Sequence, residues 1–314
     1  MRVLVTGVAG FIGSHLATRL LDEGEEVIGI DNLSAGAPEN VDPRVVLHRE
    51  DIRSRGIYPR FQGVDAVFHL AAKNCLADCL QDPVETAEVN VAGTANVMEA
   101  ACRAGVRKVI YADTSAEYEG IRDFPSRVDR IMPLSVYALS KRAGAMFCEA
   151  YQRFHGLRVT MLRYFNVYGP AQDWRRAIPP LMSAFAIRLL QGERPIIYGT
   201  GEKRRDFIYI EDVTEFNVLA LRDPRTDGQV YNVGSGVNYS VNEVFLAIED
   251  LLKTGLRPVY KDDLPGEAEV TLADIQKERQ LGWHPRVGLR EGVERSIAYI
   301  KEHVLGESRG AGRR

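Results

Sequence analysis

The sequence predicts an α/β protein built on a doubly wound parallel sheet, with a smaller C-terminal α/β lobe that binds the substrate. Three observations predict this class. Short apolar segments alternate with segments of helical periodicity, which is typical of a parallel sheet covered by helices. Three glycines follow the first apolar segment at intervals of three residues, and an acid ends the second. The chain has 314 residues, more than a single domain usually contains.

The first apolar segment predicts a nucleotide-binding turn. Residues 3–5 form a short buried strand in this interpretation, followed by Gly7, Gly10 and Gly13 and then by an amphipathic helix. The glycines allow a tight turn, a close approach of the backbone to a pyrophosphate, and close packing of the helix on the strand. The helix N-terminus adds free N–H groups and a positive dipole end. The pattern therefore predicts a Rossmann-type dinucleotide site.

The second strand, predicted over residues 26–30, determines which dinucleotide is expected. Asp31 ends this strand, and an acid there can accept hydrogen bonds from both ribose hydroxyls of an adenosine. The same carboxylate would repel a 2′-phosphate. Neither Arg nor Lys adjoins Asp31, because the segment continues with Asn32, Leu33 and Ser34. We therefore predict NAD rather than NADP.

Two more strands are predicted up to residue 72. The third covers residues 45–48 and is followed by Asp51, which either meets the adenine amino group or is an ordinary loop acid. The fourth covers residues 65–72 and ends in the small residues Ala71 and Ala72. Small side chains at the carboxyl end of a strand let a flat cofactor lie against the backbone, at the edge where ligands bind in open α/β sheets.

A helix and a fifth strand complete the predicted nucleotide-binding unit. The helix covers residues 83–104, with Pro83 in its first turn and Gly105 as its C-terminal cap. The fifth strand covers residues 108–112. His69, in the fourth strand, is predicted to be a packed residue rather than a catalytic base.

A tyrosine and a lysine form the second chemical group. Ser135 is the expected N-cap of a helix that reaches residue 154, and on it Tyr137 and Lys141 are four residues apart and share a face. An ammonium near a phenol lowers the phenol pKa from about 10, so that the phenol can act as a base near neutral pH. Thr114, at the end of the fifth strand, can share the hydrogen bond to a substrate hydroxyl.

Two later residues are candidate substrate ligands. Asn166 follows an apolar strand over residues 159–162 and therefore emerges at the same sheet edge as the fifth strand. Arg205 can neutralise a substrate diphosphate through a bidentate contact. An ion pair of Arg205 with Asp206 or Asp212 is the alternative.

The chain is divided into two lobes and a tail in this interpretation. Residues 1–170 form the NAD-binding domain, to which some later segments return. A helix that begins at Pro180 opens the mainly substrate-binding lobe, residues 171–305. Residues 306–314 include three Gly and three Arg and are predicted to be a disordered tail.

Composition excludes several functional classes. The net charge of −3 argues against a nucleic-acid or anionic-membrane partner, and no apolar run is long enough to span a bilayer. The N-terminus lacks the pattern of a secretory leader, so a cytoplasmic protein is expected. The four cysteines are predicted to be reduced, and no His or Cys cluster predicts a metal site.

Several motifs together resemble the extended short-chain dehydrogenase/reductase family. The resemblance covers nearly the whole chain. It rests on Gly7-x-x-Gly10-x-x-Gly13, Asp31-Asn32, Asp51, His69-Leu70-Ala71-Ala72, Asn90-Val91-x-Gly93-Thr94, Tyr137-x-x-x-Lys141, residues 163–170 and residues 205–210. The most similar members of that family are nucleotide-sugar 4-epimerases of the UDP-glucose 4-epimerase type.

The resemblance implies roles for individual residues. Tyr137 is the implied catalytic acid/base, Lys141 orients it and binds the nicotinamide ribose, and Thr114 is the catalytic hydroxyl residue. The implied substrate ligands are Lys73, Thr114, Asn166 and Arg205. The implied NAD ligands are Gly7, Gly10, Phe11, Ile12, Gly13, Asp31, Asn32, Asp51, Ile52, Leu70, Ala71, Ala72, Asn90, Tyr137, Lys141 and Tyr164.

The implied reaction is NAD-dependent epimerisation at C4 of a nucleotide-linked hexose, of UDP-glucose/UDP-galactose type, through a transient 4-keto sugar. A 4,6-dehydratase is one alternative, but similar dehydratases place an Asp-Glu pair where this chain has Ser115 and Ala116. A non-catalytic NAD-binding sensor is the other. It is favoured by the acidic segment 262–269, where relatives usually carry an arginine for the substrate phosphates.

Other residues also depart from the family pattern. Asp113 stands where serine is common, and Glu117 replaces a valine. Lys203, Arg204 or Lys73 are the candidates to replace the arginine that the acidic segment lacks.

Relatives usually dimerise by pairing two helices of each subunit into a four-helix bundle, so a homodimer through helices 83–104 and 136–154 is predicted.

Overall fold

The computed structural model describes residues 1–176, 179–263 and 268–306. The strands are β1 (Arg2–Thr6), β2 (Glu26–Asp31), β3 (Val46–Arg49), β4 (Ala66–His69), β5 (Lys108–Thr114), β6 (Arg158–Tyr164), β7 (Asn166–Tyr168), β8 (Ile196–Tyr198), β9 (Arg204–Tyr209), β10 (Val230–Val233), β11 (Asn238–Ser240) and β12 (Val259–Lys261). The helices are α1 (Phe11–Asp22), α2 (Leu76–Gln81), α3 (Pro83–Ala87), α4 (Thr94–Ala104), α5 (Val136–His155), α6 (Leu181–Leu190), α7 (Ile210–Arg222), α8 (Val241–Leu252), α9 (Gln276–Arg279) and α10 (Leu289–Tyr299).

A parallel sheet of seven strands is the centre of the fold. Its order is β10-β6-β5-β4-β1-β2-β3, and every neighbouring pair runs parallel. One apolar core lies between the sheet and helices α1 and α7, and a second lies between the sheet and helices α4 and α5. The predicted doubly wound α/β fold is confirmed. The strand order reverses between β1 and β4, which is where ligands bind in such sheets.

Two small sheets and a third apolar core make up the rest of the fold. Strands β11, β9 and β7 make one sheet and β12 pairs with β8 in the other, while α6, α8 and α10 pack around the third core. Strand β10 returns to the main sheet. Only Phe165 separates β6, in the main sheet, from β7, in the three-stranded one, and its N–H donates to the carbonyl of Val233.

The helix predicted over residues 83–104 is divided in the structure. It consists of α3, a π-helical segment (Glu88–Gly93) and α4. Thr94 Oγ1 donates to the Asn90 carbonyl at 2.7 Å, and a Cβ on Gly93 would lie 2.7 Å from the Ile52 side chain. Asn90, within the π segment, is hydrogen-bonded to the backbone of Lys73, shortly beyond the carboxyl end of β4. Hydrophobic periodicity does not reveal such a single-residue change of pitch.

Helix ends agree with the predicted capping residues. Ser135 accepts a hydrogen bond from the Ala138 N–H at the start of α5, and Gly105 ends α4 in the left-handed conformation.

Within the described residues, no helix is both long and apolar enough to cross a membrane. Residues 307–314 of the predicted tail and residues 264–267 of the acidic segment lie outside the described part of the chain.

Candidate active site

The turn between β1 and α1 closes against the segment that follows β4. Gly7 has φ of +72°, and a Cβ there would lie 2.8 Å from the Ala71 nitrogen. A Cβ on Gly13 would lie 2.1 Å from the Gly7 carbonyl oxygen, so α1 begins directly against the turn. Gly10 is the N-cap of α1 and offers no capping side chain, which leaves the first N–H groups of the helix available to an anion.

Gly7→Ala is expected to weaken NAD binding at least ~10-fold, because the new methyl group combines positive-φ strain with a backbone clash. Gly24→Ala is the matched control. Gly24 has φ of +83°, but a Cβ there meets no described atom within 4 Å. Calorimetric titration with NAD measures both affinities. Equal affinities would show that the fit between the turn and Ala71 does not govern cofactor binding.

Asp31 is fixed at the end of β2 by the glycine turn. Its Oδ2 accepts from the Ala9 N–H at 2.9 Å, and its Oδ1 accepts from the Leu33 N–H at 2.8 Å. Each carboxylate oxygen keeps a second lone pair, which suits two ribose hydroxyls. The buried carboxylate therefore fits the adenosine of NAD.

Asp51 lies beside Asn32 on the rim of this region. Asn32 Nδ2 donates to Asp51 Oδ2 at 3.0 Å, and Arg53 forms an ion pair with the same carboxylate at 2.8 Å. The Arg53 guanidinium is the main reason why the pKa of Asp51 is lowered to about 2. The neighbouring Ile52 is buried against Gly93. The Arg53 pair agrees with the loop-acid interpretation, and the adenine contact stays a prediction.

Asn90 ties the segment after β4 to α5. Its Oδ1 accepts from the Lys73 N–H at 2.8 Å, and its Nδ2 donates to the Lys73 carbonyl and to Ser140 Oγ, both at 2.9 Å. The Lys73 ammonium pairs with Glu85.

His69 lies between hydroxyls of Thr6 and Thr94, and burial lowers its pKa to about 3. A neutral His69 agrees with the predicted packed residue.

Tyr137, Thr114 and Lys141 converge where β5 ends. The buried Thr114 side chain lies near enough to the Tyr137 hydroxyl to lower the pKa of that phenol. The Lys141 ammonium is buried 4.1 Å from the centre of the Tyr111 ring. The structure thus brings together the three residues that the sequence singled out for acid–base chemistry.

The predicted lowering of the Tyr137 pKa by Lys141 is wrong for this arrangement. Burial raises the pKa of Tyr137 to about 12, and the neighbouring Thr114 side chain opposes the shift only in part. Burial also lowers the pKa of Lys141 to about 8, against the opposing charge of Asp113. Spacing along the helix could not show that the ammonium faces the Tyr111 ring and that burial dominates.

A buried ionic cluster behind these residues was not predicted. Asp113 and Arg163 are opposite each other on β5 and β6, and Arg163 Nη2 lies 2.6 Å from Glu117 Oε2. Arg163 Nη1 also donates to the Tyr118 hydroxyl at 2.8 Å. The sequence did carry a signal for this cluster. Asp113 and Arg163 stand at the ends of two neighbouring strands, and Glu117 follows Asp113 by four residues. Charged residues in such positions are expected to be close in space.

Two of the four predicted substrate residues, Asn166 and Arg205, line a cleft of about 270 Å³ together with Gln172 and Phe207. Lys73 and Thr114 are not among its lining residues. Asn166 Nδ2 donates to the Asp206 carbonyl at 3.0 Å. The carboxylates of Asp206 and Asp212, the alternative partners of Arg205, accept backbone N–H groups. A larger cleft beside Trp283, of about 540 Å³, contains none of the predicted site residues.

Some predicted ligands are engaged elsewhere in the protein. The Tyr164 hydroxyl is buried and donates to Asn217 Oδ1 at 2.8 Å. Lys203 pairs with Asp263, and Arg204 lies 2.9 Å from Glu243. Within the described ranges, no group of three or more His, Cys, Asp or Glu residues is arranged to hold a metal ion.

A family model described as the NAD dependent epimerase/dehydratase family matches residues 3–234. The chain belongs to this family. Family membership confirms the resemblance found in the sequence and makes NAD the cofactor. The Gly7 turn and the buried Asp31 carboxylate are where we expect this dinucleotide to bind.

Three solved structures of sugar-nucleotide epimerases are similar to this member of the family. The UDP-glucose 4-epimerase of Thermotoga maritima, solved with UDP-glucose, is 34% identical with a TM-score of 0.93, covering 97% of this chain and 100% of that one. The UDP-N-acetylglucosamine 4-epimerase of Methanobrevibacter ruminantium, in complex with UDP-N-acetylmuramic acid, is 30% identical with a TM-score of 0.92, covering 96% and 98%. The UDP-glucuronic acid 4-epimerase of Bacillus cereus, with UDP-glucuronic acid and NAD, is 31% identical with a TM-score of 0.90, covering 96% and 99%.

Proposed function

We propose that the protein inverts C4 of a UDP-linked hexose, of the UDP-glucose/UDP-galactose type, through a transient 4-keto sugar. The observation that carries the proposal is the position of the Tyr137 hydroxyl near the buried Thr114 side chain at the carboxyl edge of the main sheet, with Lys141 one turn further along α5. The protein is an NAD-dependent nucleotide-sugar epimerase by its family and its relatives. Which hexose it uses is part of our proposal.

In the proposed reaction, Tyr137 takes the proton of the C4 hydroxyl and later returns it. Thr114 shares the hydrogen bond to the same substrate oxygen and so fixes its position. Lys141 is proposed to orient Tyr137 and to bind the nicotinamide ribose when NAD is present. NAD, when bound, supplies the acceptor and donor of the hydride.

The nucleotide part of the substrate is proposed to occupy the cleft at Asn166. Arg205 lines this cleft and carries the charge that a diphosphate requires. Phe207 supplies an apolar wall.

In this proposal, residues 1–170 bind NAD and residues 171–305 bind mainly the substrate. We place the protein in the cytoplasm, where thiols stay reduced, since its four cysteines are unpaired.

A product analysis tests the function. The purified protein is incubated with UDP-glucose, UDP-galactose, UDP-glucuronate and UDP-N-acetylglucosamine, and the nucleotide sugars are separated. Conversion of UDP-glucose to UDP-galactose supports the proposal, and conversion of another pair only would change the sugar that we assign. A 4-keto-6-deoxy product would instead identify a dehydratase. Absence of turnover with all four would favour a sensor.

We also propose a homodimer through α4 and α5. Helix α5 exposes Leu139 and Met146 on one face, with the small residues Ala143 and Ala150 between and after them. These positions recur at helical spacing and suit close pairing with a second copy. Ala100 and Ala101, two of the small residues on α4, are buried inside the chain and do not contribute to that face.

Met146→Glu is expected to convert the dimer to a monomer, because it places a charge in the middle of an apolar helix pair. Leu246→Glu on α8 is the control, since Leu246 is 61% exposed and Met146 is 55% exposed. Light scattering measures the mass of both variants and of the unmodified protein. A monomeric unmodified protein would contradict the proposal.

A further inference from the structure

The N-terminus of α5 is capped by two side chains from different parts of the chain. Ser135 Oγ accepts from the Ala138 N–H at 3.1 Å, and the same hydroxyl donates to Glu119 Oε1 at 2.8 Å. Glu119 Oε2 accepts from the Ser135 N–H at 2.7 Å and from the Leu134 N–H at 3.2 Å. The carboxylate also lies at the positive end of the helix dipole. Glu119 therefore completes the cap from sixteen residues upstream.

Helix α8 has the same kind of cap, but within its own first turn. Ser240 Oγ accepts from the Glu243 N–H at 3.0 Å, and Glu243 Oε2 accepts from the Ser240 N–H at 2.6 Å, which is a capping box. The corresponding third position of α5 is Ala138, which is fully buried. A carboxylate at Ala138 would lie inside the apolar interior. In α5 the acid is instead Glu119, which ties the start of the helix to another element.

Glu119 stands at the end of a short turn that begins at the strand of the candidate active site. This 3₁₀ turn (Ser115–Tyr118) follows β5 directly, and Thr114 Oγ1 caps it by accepting from the Ala116 N–H at 3.1 Å. The Glu119 N–H donates to the Ala116 carbonyl at 3.1 Å. Thr114 and Glu119 are therefore the two ends of one hydrogen-bonded turn.

The loop between Glu119 and Ser135 leaves and returns at the same point. The Gly120 N–H donates to the Met132 carbonyl at 2.9 Å, and the Met132 N–H donates to the Glu117 carbonyl at 2.7 Å. A Cβ on Gly120 would collide with the Met132 side chain, so the two ends of the loop are in close contact. The hydrogen bonds of Glu119 thus link the turn to α5 directly, across the base of this loop.

We propose that Glu119 is a positioning residue for Tyr137: it fixes the first turn of α5 on the turn that follows Thr114, and so sets where the phenol lies relative to the Thr114 hydroxyl. Tyr137 is the second residue of α5, two residues beyond Ser135. A displacement of about 1 Å in a catalytic group can cost about 100-fold in rate. The inference rests on the proposed function, in which Tyr137 takes the C4 proton.

Steady-state kinetics of two Glu119 variants test the proposal. Glu119→Ala is expected to lower kcat about 10-fold with KM changed less than ~2-fold, because the base is held less firmly while the substrate cleft is unaltered. Glu119→Gln keeps an oxygen for the Ser135 N–H and offers an amide N–H to Ser135 Oγ, so it should restore kcat to within ~3-fold of the unmodified value. Such a rescue would assign the effect to position rather than to charge.

Glu249→Ala is the matched control. Glu249 lies on α8, is half-buried like Glu119, and also accepts from one backbone N–H and one hydroxyl, those of Gly255 and Thr254, both at 2.6 Å. Its removal should leave kcat within ~2-fold of the unmodified value, because it anchors a loop remote from Tyr137. A normal kcat in Glu119→Ala, or an equal loss in Glu249→Ala, would overturn the proposal.

Amide hydrogen exchange followed by NMR gives a second measurement that needs no turnover. The N–H groups of Ala138 and Leu139 bond to the side chain and the carbonyl of Ser135. In Glu119→Ala these two amides should exchange at least ~10-fold faster, and in Glu249→Ala their rates should be unchanged. Unchanged exchange in folded Glu119→Ala would also overturn the proposal. Lack of epimerase activity in the unmodified protein would instead refute the proposed function, and the exchange rates would still decide whether Glu119 holds the start of α5.

Discussion

Tyr137→Phe is expected to lower the epimerisation rate at least ~100-fold, because the variant lacks the group that takes the C4 proton. The aromatic ring and its packing are retained, so the fold should be unchanged. Steady-state kinetics with the UDP-hexose that the unmodified protein converts give kcat and KM. The loss should fall on kcat, because the proton transfer belongs to the transition state rather than to substrate binding.

Tyr151→Phe is the matched control for this experiment. Tyr151 lies on the same helix, but its hydroxyl donates to Glu99 at 2.7 Å, away from Thr114. Its removal should leave kcat within ~2-fold of the unmodified value if only the Tyr137 hydroxyl takes part in proton transfer. Near-normal activity of Tyr137→Phe would remove the phenol from the role of base. An equal loss in both variants would indicate damage to α5.

Arg163→Met is expected to lower the free energy of unfolding by about 3–5 kcal/mol, because it leaves two buried carboxyl groups without their cation. The lost contacts are the Asp113 and Glu117 ion pairs and hydrogen bonds to the Tyr118 hydroxyl and the Val128 carbonyl. Urea unfolding followed by circular dichroism at fixed pH gives the change from the midpoint and the slope.

Arg158→Met on the same strand is the control for Arg163. Arg158 is mostly exposed, and its nearest ion-pair distance, to Asp227, is 3.8 Å. Exposed pairs of this kind contribute about 0–1 kcal/mol, so the midpoint should barely move. Similar losses in both variants would show that burial of the cluster adds nothing to the stability of the fold.

The order of strands and helices could be predicted because each signal is local. The Gly7 turn and the cap at Ser135 each depend on a few neighbouring residues. Asp113 and Arg163 are fifty residues apart, and only the pairing of β5 with β6 makes them neighbours. The direction of the Tyr137 pKa shift also required the structure, because burial depends on every element around the phenol.

The short link between β6 and β7 has a consequence for motion within the enzyme. Tyr164 belongs to the nucleotide-binding sheet and Asn166 to the small sheet beside the substrate cleft, with one residue between them. A single residue that is buried and hydrogen-bonded leaves no room for a hinge at this point. The covalent chain thus fixes the spacing between the end of β6 in the main sheet and the cleft that Asn166 lines, and we expect no independent movement of the two sheets at this point.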